Sequence, residues 1–341
     1  MSDSAALDRL DRQIIHCLIV DGRCPFSRIA TIVGSSEQTV ARRYRRLREA
    51  GVIRVRGLRG PAAGMLDWFV RVQARPGTAD RVAAALASRE DVSWVTITAG
   101  GTEVVCATRP RTPEQRDALL LERLPRASPV TALTAHAILH RYAGSGENEW
   151  TALDDPLDAA QVQVLAAGRA PRPSGVITNV RSDAHASLTP ADAELAAALH
   201  DDGRASHARL AAATGWSAGQ VARRLETLFA SGALYVDVEV ATELLGFQSA
   251  ALLWLTVPPS ELEAAARRIA AARETAFVAA VSGPANLHAT VACRDTGHLY
   301  EFLVRELGAL PAIHTVETSP IARRVKQAGS IMQGPRLPEP A

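Results

Sequence analysis

The sequence predicts an α+β fold: two helix-turn-helix units, each followed by a module of order βαββαβ. Three observations predict it. A helix-sized stretch, Ser36 to Arg48, packs five arginines into seven residues directly after a glycine turn. Motifs between residues 21 and 51 recur farther along the chain at a constant offset of 181 residues. Beyond each copy, the apolar segments run in the order strand, helix, two strands, helix, strand, the split βαβ arrangement.

In chain order, Leu7, Leu10, Ile14, Ile15 and Leu18 recur at helical spacing until Asp21-Gly22 stops the helix. Phe26 to Val33 makes a second short helix, closed by Gly34, a residue that accepts the left-handed turn conformation. Ser36 can cap the third helix, which turns Val40, Tyr44 and Leu47 inward and leaves Arg42, Arg43, Arg45, Arg46 and Arg48 around its outside. A merely solvated helix would interleave acids with these bases, but Glu37 and Glu49 only bracket them. Helix, glycine turn and basic helix point to double-stranded DNA as partner. Val52 to Arg56 alternates apolar with basic residues and reads as a wing strand. Residues 1–60 hold twelve arginines against six acids, although the whole chain has a formal charge of only +2.

The repeat sets the domain plan. Asp21-Gly22-Arg23 returns as Asp202-Gly203-Arg204, Val40-Ala41-Arg42-Arg43 as Val221-Ala222-Arg223-Arg224, and Gly34, Leu47 and Gly51 as Gly215, Leu228 and Gly232. The copies differ in charge, since residues 188–236 have four arginines against five acids. The second copy therefore reads as a poorer DNA binder, with Gln220, Arg223 and Arg224 as its secondary contacts. The first module runs as strand 68–74, helix 79–87, strands 92–99 and 102–108, helix 114–124 and strand 130–139. The second repeats that order, ending in a strand from Ile313 to Pro320. The expected divisions are 1–60 (winged helix-turn-helix), 64–142 (ferredoxin-like domain, to which the resemblance given below adds an effector and oligomerisation role), 143–187 (linker with one short helix), 188–240 (second helix-turn-helix), 247–322 (second ferredoxin-like domain) and 323–341 (flexible tail).

A composition of 47% hydrophobic and 22% charged residues suits folded domains. No run of about 18 apolar residues suggests a membrane span, and the start MSDSAALDRLDR lacks a signal-peptide pattern, so the expected location is cytoplasmic. Cys17, Cys24, Cys106 and Cys293 lack metal or redox spacing. His136 and His140 fall on a strand, about 13 Å apart, so no metal is expected there. With no nucleophile elbow, P-loop or dinucleotide fingerprint, no catalytic residues, cofactor or enzymatic role are assigned.

The segments LDRLDRQIIHCL and DGRCPFSRIATIVGSSEQTVARRYRRLREAGVI, with the weaker second copy DGRASHARLAAATGWSAGQVARRLETLFASGAL, resemble the Lrp/AsnC (feast/famine) regulators. In that family the βαββαβ module is the RAM effector domain. The resemblance implies a sequence-specific, homo-oligomeric transcriptional regulator in tandem-duplicated form. It places Glu37, Gln38, Thr39, Arg42 and Arg43 near base edges and Arg45, Arg46 or Arg54 nearer phosphates, behind the capping Ser36. It also implies a small-molecule effector, typically an amino acid, bound between paired RAM domains near a Gly-x-x-Asp loop. The corresponding loops here are Gly100-Gly101-Thr102-Glu103 and Gly283-Pro284-Ala285-Asn286, which keep a carboxylate in one copy and an amide in the other; a tight turn without ligand is the competing reading. Sirohaem decarboxylases resemble the same duplicated fold and supply the alternative function.

Overall fold

The computed structural model describes residues 7–60, 62, 65–144, 152–154, 156–167 and 188–338. The first unit consists of α1 (Arg9–Val20), α2 (Phe26–Val33) and α3 (Glu37–Glu49), followed by β1 (Ile53–Arg59). Asp8 caps α1 in a reciprocal capping box with Asp11. Gly34 closes α2 at φ +65°, and the Ser36 hydroxyl caps α3 by accepting from Thr39 N at 3.1 Å. Ile14, Ile15, Leu18, Ile29, Val40 and Leu47 fill the core between the three helices.

The first module follows with β2 (Trp68–Ala74), α4 (Ala79–Ala87), β3 (Val92–Thr98), β4 (Glu103–Thr108), α5 (Pro113–Asp117), α6 (Leu124–Arg126) and β5 (Val130–Ala143). A π-helical turn, Ala118–Arg123, joins α5 to α6. In the expected linker, α7 (Ala159–Ala167) is the one short helix among the described residues. It is more than a spacer: Leu153, Leu157 and Leu165 complete the core of the first unit, and Leu157 N donates to His16 Nδ1 at 2.9 Å. The remainder of that expected linker lies largely outside the described residues.

The second unit is α8 (Ala193–Asp201), α9 (His207–Thr214), α10 (Ala218–Ala230) and β6 (Leu234–Val240), around Leu195, Leu199, Leu210, Val221, Leu225 and Leu228. The second module contains β7 (Ser249–Thr256), α11 (Leu262–Ala270), β8 (Thr275–Val281), β9 (Leu287–Cys293), α12 (Thr296–Phe302), β10 (Thr315–Gln327) and the short β11 (Ser330–Ile331).

The copies meet within the chain at two levels. Strands β1 and β6 pair antiparallel through seven residue pairs, from Ile53↔Val240 to Arg59↔Leu234. The expected wing is thus the seam between the two helix-turn-helix units. The Asp-Gly-Arg repeats clasp one another beside it. Arg23 donates to the carbonyls of Gly203 and Ala205 (2.5 and 3.0 Å), and Arg204 donates to those of Gly22 and Cys24 (2.6 and 2.8 Å). Gly203 allows this approach, because a Cβ there would lie 2.8 Å from the Arg56 backbone.

The two modules close into a barrel. Its antiparallel order is β10-β3-β4-β2-β5-β8-β9-β7, with β7 returning to β10. Each module lends its last strand to the other: the first half of β5 pairs with β2 and its end with β8, while β10 pairs with β7 and then with β3. This corrects two expectations. Strand β5 continues four residues past the predicted 139, across the proposed boundary at 142, and β10 continues seven past Pro320 because a second partner is present. Residues 323–338 are therefore not a free tail. The chain turns through β11, and Leu337, 2% exposed, donates its N–H to Gly51 O at 2.9 Å. Helices cover the outer face of the sheet over Val70, Val72 and Val104 in one module and Leu253, Leu255 and Val291 in the other. No helix among the described residues is long and apolar enough to cross a membrane.

Candidate nucleic-acid interface and effector loops

On α3, Glu37 and Gln38 at the first turn are exposed, Thr39 is half-buried, and Ser36 is committed to the cap. Arg42 and Arg45 are exposed and have no ion-pair partner among the described residues. Two of the other predicted contacts are held by the protein itself. Arg43 pairs with Asp8 and with the buried Asp11 (3.1 Å), and Arg46 also reaches Asp11. A guanidinium fixed to the N-terminus of α1 locks α3 onto α1, so Arg43 is a bracing residue in this structure and not an outward base reader. Arg54 is corrected outright. It is 2% exposed, because β1 lies in the seam with β6, where Arg54 stands opposite Glu239.

The second unit repeats the brace at the same offset. Arg224 donates to Asp192 through Nε (2.7 Å) and a terminal nitrogen (2.5 Å), and Thr189 completes the capping box that Asp8 makes in copy one. Sequence reading assigned Arg43 and Arg224 to DNA and missed this pair. The signal was present, since Asp11 and Asp192 are themselves 181 residues apart. Arg224 holds the Asp192 carboxyl down to about 2, against the opposing effect of burial. Because the folded value lies below the ordinary 3.8, the stabilisation is complete above about pH 4 and is lost as pH falls toward 2. It is worth about 2 kcal/mol. Arg224→Ala should shift acid unfolding, followed by circular dichroism, to higher pH; superimposable acid curves for variant and wild type would refute the brace.

The remaining outward positions separate the copies. Exposed Arg223 occupies the place of Arg42, but exposed Glu226 stands where Arg45 does, and Thr227 replaces Arg46. The Gln220 side chain accepts from Ser217 N at 2.8 Å and is partly committed to its cap. Helix α3 therefore offers cations unpaired among the described residues along its outer face, and α10 offers Arg223 beside a carboxylate.

The predicted effector loops hold their functional groups inward. Gly100, Gly101 and Thr102 form the turn between β3 and β4, with both glycines at positive φ. Glu103 is 1% exposed beneath it and accepts from Arg71 Nε (2.8 Å), Gln73 Nε2 (2.9 Å) and Thr98 Oγ1 (2.8 Å). Its carboxylate is consumed inside the barrel and is not presented for a ligand's ammonium group. In the other loop, Asn286 Oδ1 accepts from Val257 N (3.0 Å) and its Nδ2 donates to Val257 O (2.7 Å), an amide bridging two strand ends. Gly283 passes His136 so closely that a Cβ would lie 2.8 Å from the imidazole.

The barrel interior carries an aromatic stack that the sequence did not reveal. Trp254, 1% exposed, packs against His136 and His288 with ring centroids at 4.8 and 4.3 Å, and Arg71 lies 4.9 Å over its face. Burial, then the nearby His136, pushes His288 down to about 3, so its ring is neutral. His136 Nδ1 lies 2.7 Å from Ser282 O, tying β5 to the Gly283 loop.

Comparison with known proteins assigns this arrangement. Residues 7–48 and 188–228 both match the AsnC-type helix-turn-helix domain, and residues 250–331 match the Lrp/AsnC ligand binding domain. The HTH-type transcriptional regulator FL11 of Pyrococcus abyssi is 34% identical over 119 residues, which span 34% of this chain and 78% of that protein. The chain belongs to the Lrp/AsnC family. FL11 of Pyrococcus horikoshii is likewise 34% identical over 113 residues, 32% of this chain and 74% of its own. The fold extends farther than the sequence likeness. The siroheme decarboxylase NirDL superposes over 94% of this chain and 93% of its own with a TM-score of 0.52, at 15% identity. That likeness is one of fold alone.

Proposed function

We propose that this Lrp/AsnC-family chain is a sequence-specific DNA-binding transcriptional regulator that reads chiefly through α3, under the influence of a small-molecule effector. The observation that carries the proposal is the outer face of α3, where Arg42 and Arg45 stand exposed and unpaired among the described residues behind a capped first turn. A helix N-terminus with polar side chains, flanked by free guanidinium groups, suits major-groove reading with phosphate anchoring. The clasped repeats give one chain two heads related by a pseudo-twofold axis, which other regulators obtain by dimerising. Since Glu226 replaces Arg45 on the second head, the preferred site is asymmetric: one strong half-site and one weak. Further association into homo-oligomers is part of the same reading.

Selection of genomic fragments by the purified full chain near physiological salt tests it. Recovery of a defined, asymmetric motif is the expected result. Enrichment of no sequence above background would overturn the proposal and turn attention to the decarboxylase-like alternative, for which tetrapyrrole absorbance on mixing is the direct assay.

A further inference from the structure

A cavity of about 780 Å³ lies between the strand seam of the helix-turn-helix pair and one end of the barrel. Its walls come from both levels: Arg59 of β1, His200 of α8 and Tyr235 of β6 on one side, and inward-facing barrel side chains on the other. The volume falls within the range of small-molecule sites.

The lining divides by chemistry. Phe69, Val105, Ile138, Leu252, Phe277 and Ile321 make an apolar floor. Around it stand seven cationic side chains against four carboxylates. Several of these charges are already matched: Arg89 pairs with Asp91, and Arg109 and Arg141 share Asp67 just behind the wall. Arg59, Arg111 and Arg324 have no carboxylate partner among the described residues. Arg111 donates to Gly60 O at 2.9 Å, and burial, with Arg109 and Arg59 beside it, pulls it down to about 10. Arg324 stands apart on β10, opposite Thr96 and 6.0 Å from the ring centre of Trp94. Its hydrogen bonds among the described residues are long, 3.3 Å to Thr242 and Gln327, and burial lowers its pKa against the opposing pull of the Glu243 carboxylate, which forms no direct ion pair with it. Arg111 and Arg324 are half-buried and Arg59 is exposed at the rim, and cations partly withdrawn from water favour a counter-charge, which an anion entering here would supply.

We propose that this cavity binds an amphipathic organic anion, its apolar body on the barrel floor and its carboxylate or phosphate on Arg324, with Arg59 and Arg111 as a second cationic point. The site is distinct from the β3–β4 and β8–β9 loops, whose polar groups are consumed internally. As an effector site it rests on the regulator reading, because its walls join the reading heads to the barrel and a ligand there touches both; as a binding site it stands alone.

Two probes with one aromatic skeleton test it: 1-anilinonaphthalene-8-sulfonate, which is anionic, and N-phenyl-1-naphthylamine, which lacks the sulfonate. Fluorescence titration of the full chain should show saturable binding, tighter for the anion. Arg324→Met should weaken the anionic probe about tenfold and leave the neutral one within about twofold. Arg323→Met, on the exposed neighbour, should change neither. Ile321→Trp, which fills the floor, should weaken both and keeps the test open if the Arg324 variant fails to fold. The proposal is overturned if the wild type shows no saturable binding, if both probes bind it equally, or if Arg324→Met leaves the anionic probe unchanged. Fragment selection by the wild type without any probe reports on the regulator reading separately, so failure of one is not failure of the other.

Discussion

Arg42→Ala should lower affinity for the selected DNA site by about ten- to a hundredfold, the worth of one good bidentate base contact, while leaving thermal stability unchanged. The expectation follows from its position: exposed, unpaired among the described residues, one turn into the helix whose N-terminus is fixed by the Ser36 cap. The loss should be far smaller on random DNA, so the specificity ratio falls with the affinity. Arg45→Ala, farther along the same face, should instead weaken both kinds of DNA alike and reduce the slope of log K against log salt by about one. The matched changes in the second head, Arg223→Ala and Glu226→Ala, calibrate the asymmetry. Arg223→Ala should cost less than Arg42→Ala, and Glu226→Ala should strengthen binding slightly by removing a carboxylate from the phosphate side. Titrations by fluorescence anisotropy at several salt concentrations measure all four. Equal losses for Arg42→Ala and Arg223→Ala would mean that both heads read equally, and an unchanged specificity ratio in Arg42→Ala would remove it from the base-reading set.

Arg43 belongs to a different experiment, and the reason shows what a sequence does and does not disclose. The helices of the first unit, with β2 and α4, lie where periodicity and caps put them, because a helix is specified by residues three and four apart and by the groups that satisfy its ends. Direction of charge is another matter. Arg43 and Arg42 adjoin in sequence, yet one is braced to Asp11, 32 residues away, and the other faces solvent. Only the recurrence of an Asp–Arg pair at the 181-residue offset hinted at the difference. The strands were least legible where their partners are remote. Val130 to Leu139 reads as an ordinary strand, and nothing local indicates that β5 runs on to meet β8 of the other module. Composition misled at the C-terminal end, where glycine and proline suggest a free tail but Leu337 docks beside Gly51. The β3–β4 and β8–β9 loops lie between strands where the sequence put them, but the inward turn of Glu103 depends on Arg71, Gln73 and Thr98, each on a neighbouring strand or the same turn.

Arg23→Ala and Arg204→Ala should each destabilise the chain by about 3 kcal/mol, and the pair should cost less than the sum. Each guanidinium makes two hydrogen bonds to carbonyls of the opposite copy, and bonds from a charged donor are worth about 1.5–3 kcal/mol apiece. Arg204 has a further role, as its guanidinium lies 4.4 Å from the ring centre of Phe26 and 5.4 Å from that of Tyr44, on the inner side of the first recognition helix. Arg204→Ala should therefore be the more damaging, although it belongs to the second, less basic copy. Either change opens the same seam, since the β1–β6 register is held between the two clasps. Once one clasp is lost, the other has less docked structure to secure, which makes the effects sub-additive. Urea unfolding of both single variants and the double variant measures the coupling. Strict additivity would show that the clasps act independently and that the seam is held by the strand pairing alone. A sub-additive result with weakened DNA binding in both single variants would tie reading by α3 to the second copy, giving the duplicated unit a function even where its own helix meets few phosphates.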